Sequence, residues 1–251
     1  MTILITGAAG SIGTAVRRNL AGPLRLVDTA APPPGETLDW QQVSITDLAA
    51  MRAACRGVES IVHLAALADE DSWERILTIN VDGTRTVLEA ARLEGVRRVI
   101  LASSIHAAGF LPRPDDGGRP PVPAGVAPRP DTHYGFSKAA LEALGSLYHS
   151  RTGMAVICLR IGDFNPRPDP WLSSAWLSPG DCIRLIRAAL TADGFHMVWG
   201  ISRNATRWLD LSAGEAIGYH PQDSAPHSGA TEADHLGGAY CTVPLGTPVG
   251  D

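Results

Sequence analysis

Three glycines spaced three apart, at positions 7, 10 and 13, constrain this chain more than any other feature. They lie in Thr6-Gly7-Ala8-Ala9-Gly10-Ser11-Ile12-Gly13, after an apolar run at residues 2–6 and at the start of an amphipathic stretch at residues 11–20. The run reads as a buried strand and the stretch as a helix, so the glycines occupy a strand-to-helix turn. Glycines there permit a tight turn, close approach of backbone to a ligand, and close packing of helix on strand. The helix N-terminus behind them offers unpaired N–H groups and the positive end of a dipole, which suits a phosphate. Asp28 closes the next apolar run, residues 24–28, at the spacing that sets a carboxylate on the ribose of a bound dinucleotide. Such a carboxylate accepts both ribose hydroxyls and repels the 2′-phosphate of NADP, so the expected cofactor is NAD. Arg17 and Arg18, on the first helix, read as solvated charges rather than as partners for that phosphate.

From this first unit onward, apolar runs alternate with amphipathic segments, as a parallel sheet with crossover helices requires. Further strands are expected at residues 38–45 (weakly), 60–64, 98–102, 155–160 and 195–199. Helices are expected at residues 47–55, with Asp47 as N-cap, and at 72–94, 131–152 and 179–190. The fold class is therefore α/β, a Rossmann-type doubly wound parallel sheet. Residues 1–251 are expected to form one domain, with residues 161–251 adding a small C-terminal substrate cap. Residues 112–130 contain seven prolines, which no regular element tolerates, and the length of this loop suggests a functional lid. The tail from residue 221 onward, rich in glycine, proline and small polar residues, is expected to be largely irregular.

Composition removes several function classes. Hydrophobic residues make up 45% and charged residues 19%, a globular balance. A net charge of −5 without a basic run gives no footprint for nucleic acid. The N-terminus lacks the positive region of a signal peptide, and no apolar stretch is long enough for a membrane span. Cys55, Cys158, Cys182 and Cys241 form no CxxC and are expected to be reduced thiols in a cytoplasmic protein. The histidines have no metal-ligand spacing, so no metal is expected.

The chain carries 21 basic residues, and Lys138 is its only lysine. A sequence that uses arginine wherever positive charge suffices keeps this lysine where a guanidinium fork does not serve. Tyr134 lies four residues earlier, on the same face of the expected helix. A free phenol has a pKa of about 10, and a nearby ammonium favours its phenolate, so the pair can act as a general base. Ser103 and Ser104 follow the strand at 98–102, at the carboxyl edge where open α/β sheets bind ligands. A hydroxyl there can hold a substrate oxygen in line with Tyr134.

With these residues in place, the chain resembles the extended short-chain dehydrogenases, the NAD-dependent epimerase/dehydratase family, and within it the uronate dehydrogenases. The resemblance rests on the glycine turn, Asp28, Val62-His63-Leu64-Ala65-Ala66, Asn80, Ser103-Ser104, Tyr134-Gly135-Phe136-Ser137-Lys138 and Leu159-Arg160-Ile161-Gly162. It implies that Gly7, Gly10, Ser11, Ile12 and Gly13 meet the pyrophosphate and Asp28 the adenosine ribose. It also implies that Ala65, Ala66, Asn80, Tyr134, Lys138 and Ile161 line the cofactor. Ser104, Tyr134 and Lys138 take the catalytic positions, and His106 the position of a substrate-contacting histidine. The substrate side departs from the uronate pattern, with Ala68 and Ile105 where a serine and an asparagine are usual. The arginine that holds the substrate carboxylate is missing from the loop after Gly162, leaving Arg167 or Arg113 as stand-ins. The implied activity is hydride transfer between NAD and a hydroxyl or hemiacetal carbon of a sugar, sugar acid or related small molecule. On the residue changes, glucuronate and galacturonate are expected to be poor substrates. Competing readings are a nucleotide-sugar epimerase or dehydratase and a non-catalytic NAD sensor. The resemblance also implies a homodimer.

Overall fold

The computed structural model describes residues 2–114, 120–226 and 232–248. The first βα unit forms as its pattern requires, with β1 (Ile3–Thr6) leading through the glycine turn into α1 (Ser11–Asn19). β2 (Leu24–Asp28) and β3 (Asp39–Gln42) follow; β3 is shorter than its apolar run and lies at the sheet edge, half exposed. α2 (Leu48–Cys55) is capped by Asp47, whose Oδ1 accepts from Ala50 N–H at 3.0 Å. β4 (Ser60–His63) precedes one continuous helical run made of α3 (Trp73–Ile76), a π-turn (Leu77–Asp82) and α4 (Gly83–Leu93). β5 (Arg98–Ser104) is longer than expected, so Ser103 and Ser104 are its last two residues rather than the start of a loop.

α5 (His133–Thr152) begins at the N-cap Thr132, which accepts from Gly135 N–H at 2.9 Å, and ends at Gly153 with φ 74°. β6 (Ala155–Ile161), a short parallel pair β7 (Asp163–Phe164) and β8 (Trp176–Leu177), α6 (Pro179–Ala189), β9 (Phe195–Gly200) and α7 (Ser212–Ala216) complete the regular elements. The main sheet has the order β3-β2-β1-β4-β5-β6-β9, with every neighbouring pair parallel. Its two faces bury separate apolar clusters, one against α1 and α6, the other against α2, α4 and α5. Strand order reverses between β1 and β4, and ligands of open α/β sheets bind in the crevice outside that point.

Two segments differ from expectation. The 112–130 loop is not free to swing over its described part. Val122 pairs with Trp208 N–H-to-carbonyl at 2.9 Å and accepts from the Trp199 indole at 3.0 Å, while Arg160 donates to the Val126 carbonyl. Residues 115–119 of the expected lid lie outside the described residues. The segment that packs beside His106 and the loop after β4 is the tail instead. Residues 232–248 form a strap, irregular apart from one turn at Gly238–Thr242, held by Leu236 N–H on Leu111 O and Gly237 N–H on Gly109 O. Backbone pairing to the loop after β5, not local propensity, fixes its course.

Among the described residues no helix is long and apolar enough to cross a membrane, and no cluster of three metal-ligating side chains occurs. All four cysteines are free thiols, and burial pushes those of Cys55 and Cys182 up to about 12.

Candidate active site

A groove of about 870 Å³ runs along the carboxyl ends of the central strands. Its floor at one end is the glycine turn. Gly7 has φ 71°, and a Cβ there would fall 2.7 Å from Ala65 N, across the strand-order reversal. A Cβ at Gly13 would collide with the Gly7 carbonyl, so α1 can sit this close to β1 only without side chains at both places. At Gly10 a Cβ would meet nothing nearer than 3.4 Å, which leaves that side of the turn open to a ligand. Gly10, Ser11, Ile12, Asp28, Ala65 and Ala66 all line the groove, and the residues present therefore fit a dinucleotide.

Asp28 is held from behind, its two oxygens accepting from Ala9 N–H at 2.8 Å and Ala30 N–H at 2.9 Å. Arg17 is not the solvated charge expected from sequence. It pairs with Glu36, donates to the Ala8 carbonyl and lies over Trp40, its side chain only 9% exposed. The loop after β2 brings Glu36 to it, a contact that helix periodicity cannot foresee.

At the other end of the groove Ser104, Tyr134 and Lys138 converge, together with Ile161 and Ala68. The Lys138 ammonium donates to the Ala102 carbonyl at 2.8 Å and lies 5.4 Å from the centre of the Tyr134 ring. Burial raises the Tyr134 phenol to about 12; a hydrogen bond from Ser104 opposes this, and the carboxylates of Asp69 and Asp131 add to it. Burial lowers Lys138 to about 8. The ammonium, together with the positive ring of an oxidised cofactor, was expected to favour the phenolate. The geometry instead places it on the end of β5, over the ring face, and the direct partner of the phenol is Ser104. Ser103 faces the opposite side of the sheet and donates to Glu142 at 2.6 Å.

Three expected contact residues stand outside the groove lining. Asn80 does not line the groove. It is buried in the π-turn, where its Oδ1 accepts from Leu67 N–H at 2.8 Å and its amide donates to the Leu67 carbonyl and to Ser137. It thus fixes the groove wall from behind. Ile105, expected at the substrate, is buried in the core cluster, where it opens the 3-10 turn Ile105–Ala108 and does not line the groove.

His106, the expected substrate contact, is also absent from the groove lining. Its Nδ1 lies 2.6 Å from Asp131 Oδ2, and its ring packs between Tyr134 at 5.8 Å and Tyr240 at 4.4 Å. Asp131 is itself buried, and a methyl at Gly109 or Gly237 would overlap its Oδ2. The Tyr240 hydroxyl donates to Asp69 at 2.9 Å. Sequence reading missed Asp69, Glu70, Asp131 and Tyr240. The only trace of them was acidic residues beside the strand after His63 and just before the cap of α5. It also missed Arg75, which lines the groove wall and pairs with Asp71 at 2.5 Å.

Comparison with known proteins agrees with this architecture. Residues 3–165 match the model of the NAD dependent epimerase/dehydratase family. The chain is 37% identical to a uronate dehydrogenase of Pseudomonas putida, covering 89% of this chain and 84% of that protein. It is 34% identical to an L-arabinose 1-dehydrogenase (NAD(P)(+)) of Haloferax volcanii, covering 89% of this chain and 97% of that one. Among solved structures, a uronate dehydrogenase of Agrobacterium tumefaciens complexed with NAD superposes with a TM-score of 0.86 at 31% identity, over 97% of each chain. With its glycine turn, its acidic residue after β2 and its Ser104–Tyr134–Lys138 convergence, the chain belongs to the NAD dependent epimerase/dehydratase family and is an NAD-dependent oxidoreductase.

Proposed function

We propose that the protein oxidises a hydroxyl or hemiacetal carbon of a small, uncharged sugar with NAD, using Tyr134 as its acid–base group. The observation that carries this reading is the convergence of Ser104, Tyr134 and Lys138 at one end of a dinucleotide-shaped groove. Gly7, Gly10, Ser11, Ile12 and Gly13 hold the pyrophosphate, Asp28 the adenosine ribose, and Ala65, Ala66 and Ile161 the faces of the cofactor. When bound, NAD supplies the hydride acceptor and a positive ring beside the phenol. The Tyr134 oxygen takes the proton of the substrate hydroxyl, and the Ser104 hydroxyl, donating to that oxygen, stabilises it as phenolate. Lys138, tied to the end of β5, fixes the ring face and holds the nicotinamide ribose. His106, oriented by Asp131, contacts the sugar. Residues 161–251 complete one domain as its substrate cap.

The substrate end supports an uncharged sugar over a uronate. Asp69 and Asp131 both act on the phenol as negative charges, so a substrate carboxylate beside it would meet repulsion. Arg113 is engaged by Glu232 at 2.5 Å, and Glu232 also accepts from Ser173 and Ser174. The Ala68 side chain offers the groove no hydrogen bond. The likeness to an arabinose dehydrogenase supports the same reading. In steady-state kinetics with NAD, neutral aldoses should exceed glucuronate and galacturonate in kcat/KM by about a hundredfold, the equivalent of two lost charged contacts. A uronate value near ~10⁴ M⁻¹s⁻¹, the low end for working enzymes, would overturn this substrate class.

Cofactor choice is a second test. With Asp28 at the ribose and Arg17 committed to Glu36, NAD should bind at least about tenfold more tightly than NADP. Equal affinities by calorimetry would remove the role given to Asp28. A homodimer through the outer side of α3 and α5 is supported by Trp73 and Phe136, tilted against each other with ring centroids 5.3 Å apart and each about two-fifths exposed. The four free thiols support a reducing compartment, the cytoplasm.

A further inference from the structure

The first N–H groups of a helix have no partner inside it, and Tyr134 is the second residue of α5. Its N–H is taken by Glu70, whose Oε2 accepts it at 2.9 Å. Glu70 comes from the loop after β4 and is 1% exposed. Its other oxygen accepts from Gly246 N–H at 2.8 Å and lies 3.3 Å from His133 Nδ1. That nitrogen makes no hydrogen bond among the described residues.

A buried carboxylate is costly unless its lone pairs are filled. Here one donor belongs to the catalytic helix and another to the strap, which lies 176 residues away in sequence. The preceding residue repeats the arrangement. Asp69 Oδ1 accepts from Glu70 N–H at 2.7 Å and from the Tyr240 hydroxyl, and Tyr240 packs on His106. Two consecutive carboxylates thus latch the strap, one at the substrate-facing ring and one at the backbone of the tyrosine. If the strap lifts, Glu70 loses a donor and its hold on α5 must readjust.

We propose that Glu70 is a positioning residue for Tyr134, through which the seating of residues 232–248 sets the height of the phenol over the groove. The inference rests on Tyr134 being the acid–base group. Its consequence is that substrate enclosure and catalytic geometry are completed together, so the tyrosine is in register only beneath a closed strap.

The test compares three variants of the full protein: Glu70→Gln, a chain ending at Val243, and the two combined. Truncation removes the Gly246 donor and keeps Tyr240. Hydrogen exchange followed by mass spectrometry should show the amides of residues 133–136 exchanging about tenfold faster in the truncated chain, although nothing near them in sequence has changed. With the aldose that gives the highest turnover, kcat should fall about tenfold in each single variant while KM and the Kd for NAD stay within about threefold. The combined variant should be no worse than Glu70→Gln, since both act through one carboxylate. Glu70→Asp, which keeps the charge on a shorter arm, should recover part of kcat and stands in should Glu70→Gln fail to fold. Unchanged exchange at residues 133–136 in the truncated chain would overturn the coupling, whatever Tyr134 does chemically. Faster exchange with full kcat would overturn the positioning role of Glu70, while the acid–base assignment of Tyr134 is tested separately by Tyr134→Phe. Additive losses in the combined variant would also count against a shared route through Glu70.

Discussion

Tyr134→Phe should lower kcat for sugar oxidation by about 10²- to 10⁴-fold, the usual worth of a positioned acid–base group. The Kd for NAD should change little, because the phenol acts on the substrate proton and the groove wall keeps its ring. The substitution removes one oxygen from a buried site, so stability is not expected to limit the measurement. Wild-type turnover in the oxidative direction should rise with pH, because the base is the phenolate and the protein by itself holds the phenol at about 12. Tyr134→Phe should lose that rise. Lys138→Arg should fall nearly as far despite keeping the charge. The ammonium is buried and donates to the Ala102 carbonyl at 2.8 Å, a point contact that a planar guanidinium fork on a different stem does not reproduce. Retention of more than about a tenth of kcat by Tyr134→Phe would rule out the acid–base role, given the lower bound of the expected effect.

The second large effect is on stability. Arg160→Met should cost about 3–5 kcal/mol, because it strands a buried carboxylate. Glu142 receives Arg160 Nε and Nη2, both at 2.8 Å, and the Ser103 hydroxyl at 2.6 Å, all beneath the end of β5. Arg160 is fully buried, lies over the Trp199 ring at 5.3 Å and donates to the Val126 carbonyl at 3.2 Å. One side chain therefore joins β6, α5, β9 and the proline-rich loop. Urea unfolding measures the loss, and a change below about 1 kcal/mol would mean that the pair is not acting as a buried unit. Replacing both partners, Arg160→Met with Glu142→Leu, should recover much of the stability, since the main cost is the uncompensated charge and not the absence of the pair. Ser103 and Val126 would still lack partners, so recovery should be incomplete.

The sequence by itself determined the parallel α/β sheet, the glycine turn, Asp28 after β2 and the Tyr134–Lys138 pair on one helix face. Each of these depends on a local requirement. A close strand-to-helix turn needs glycine where a Cβ would collide, a buried strand needs a short apolar run, and residues four apart on a helix share a side. Only the tertiary structure decided where side chains in irregular segments point. Asn80 holds a groove wall from behind, Ile105 turns into the core, and Arg17 meets Glu36, none of which follows from spacing. The same holds for the segment packed beside the site. The proline-rich loop looked like the lid by composition, yet its described ends are tied to Trp208, Trp199 and Arg160. The tail, which composition marked only as irregular, supplies Tyr240 and Gly246 to carboxylates that follow β4. A polar side chain is fixed by whichever donors share its burial, and those donors come from segments that meet only once the sheet has formed.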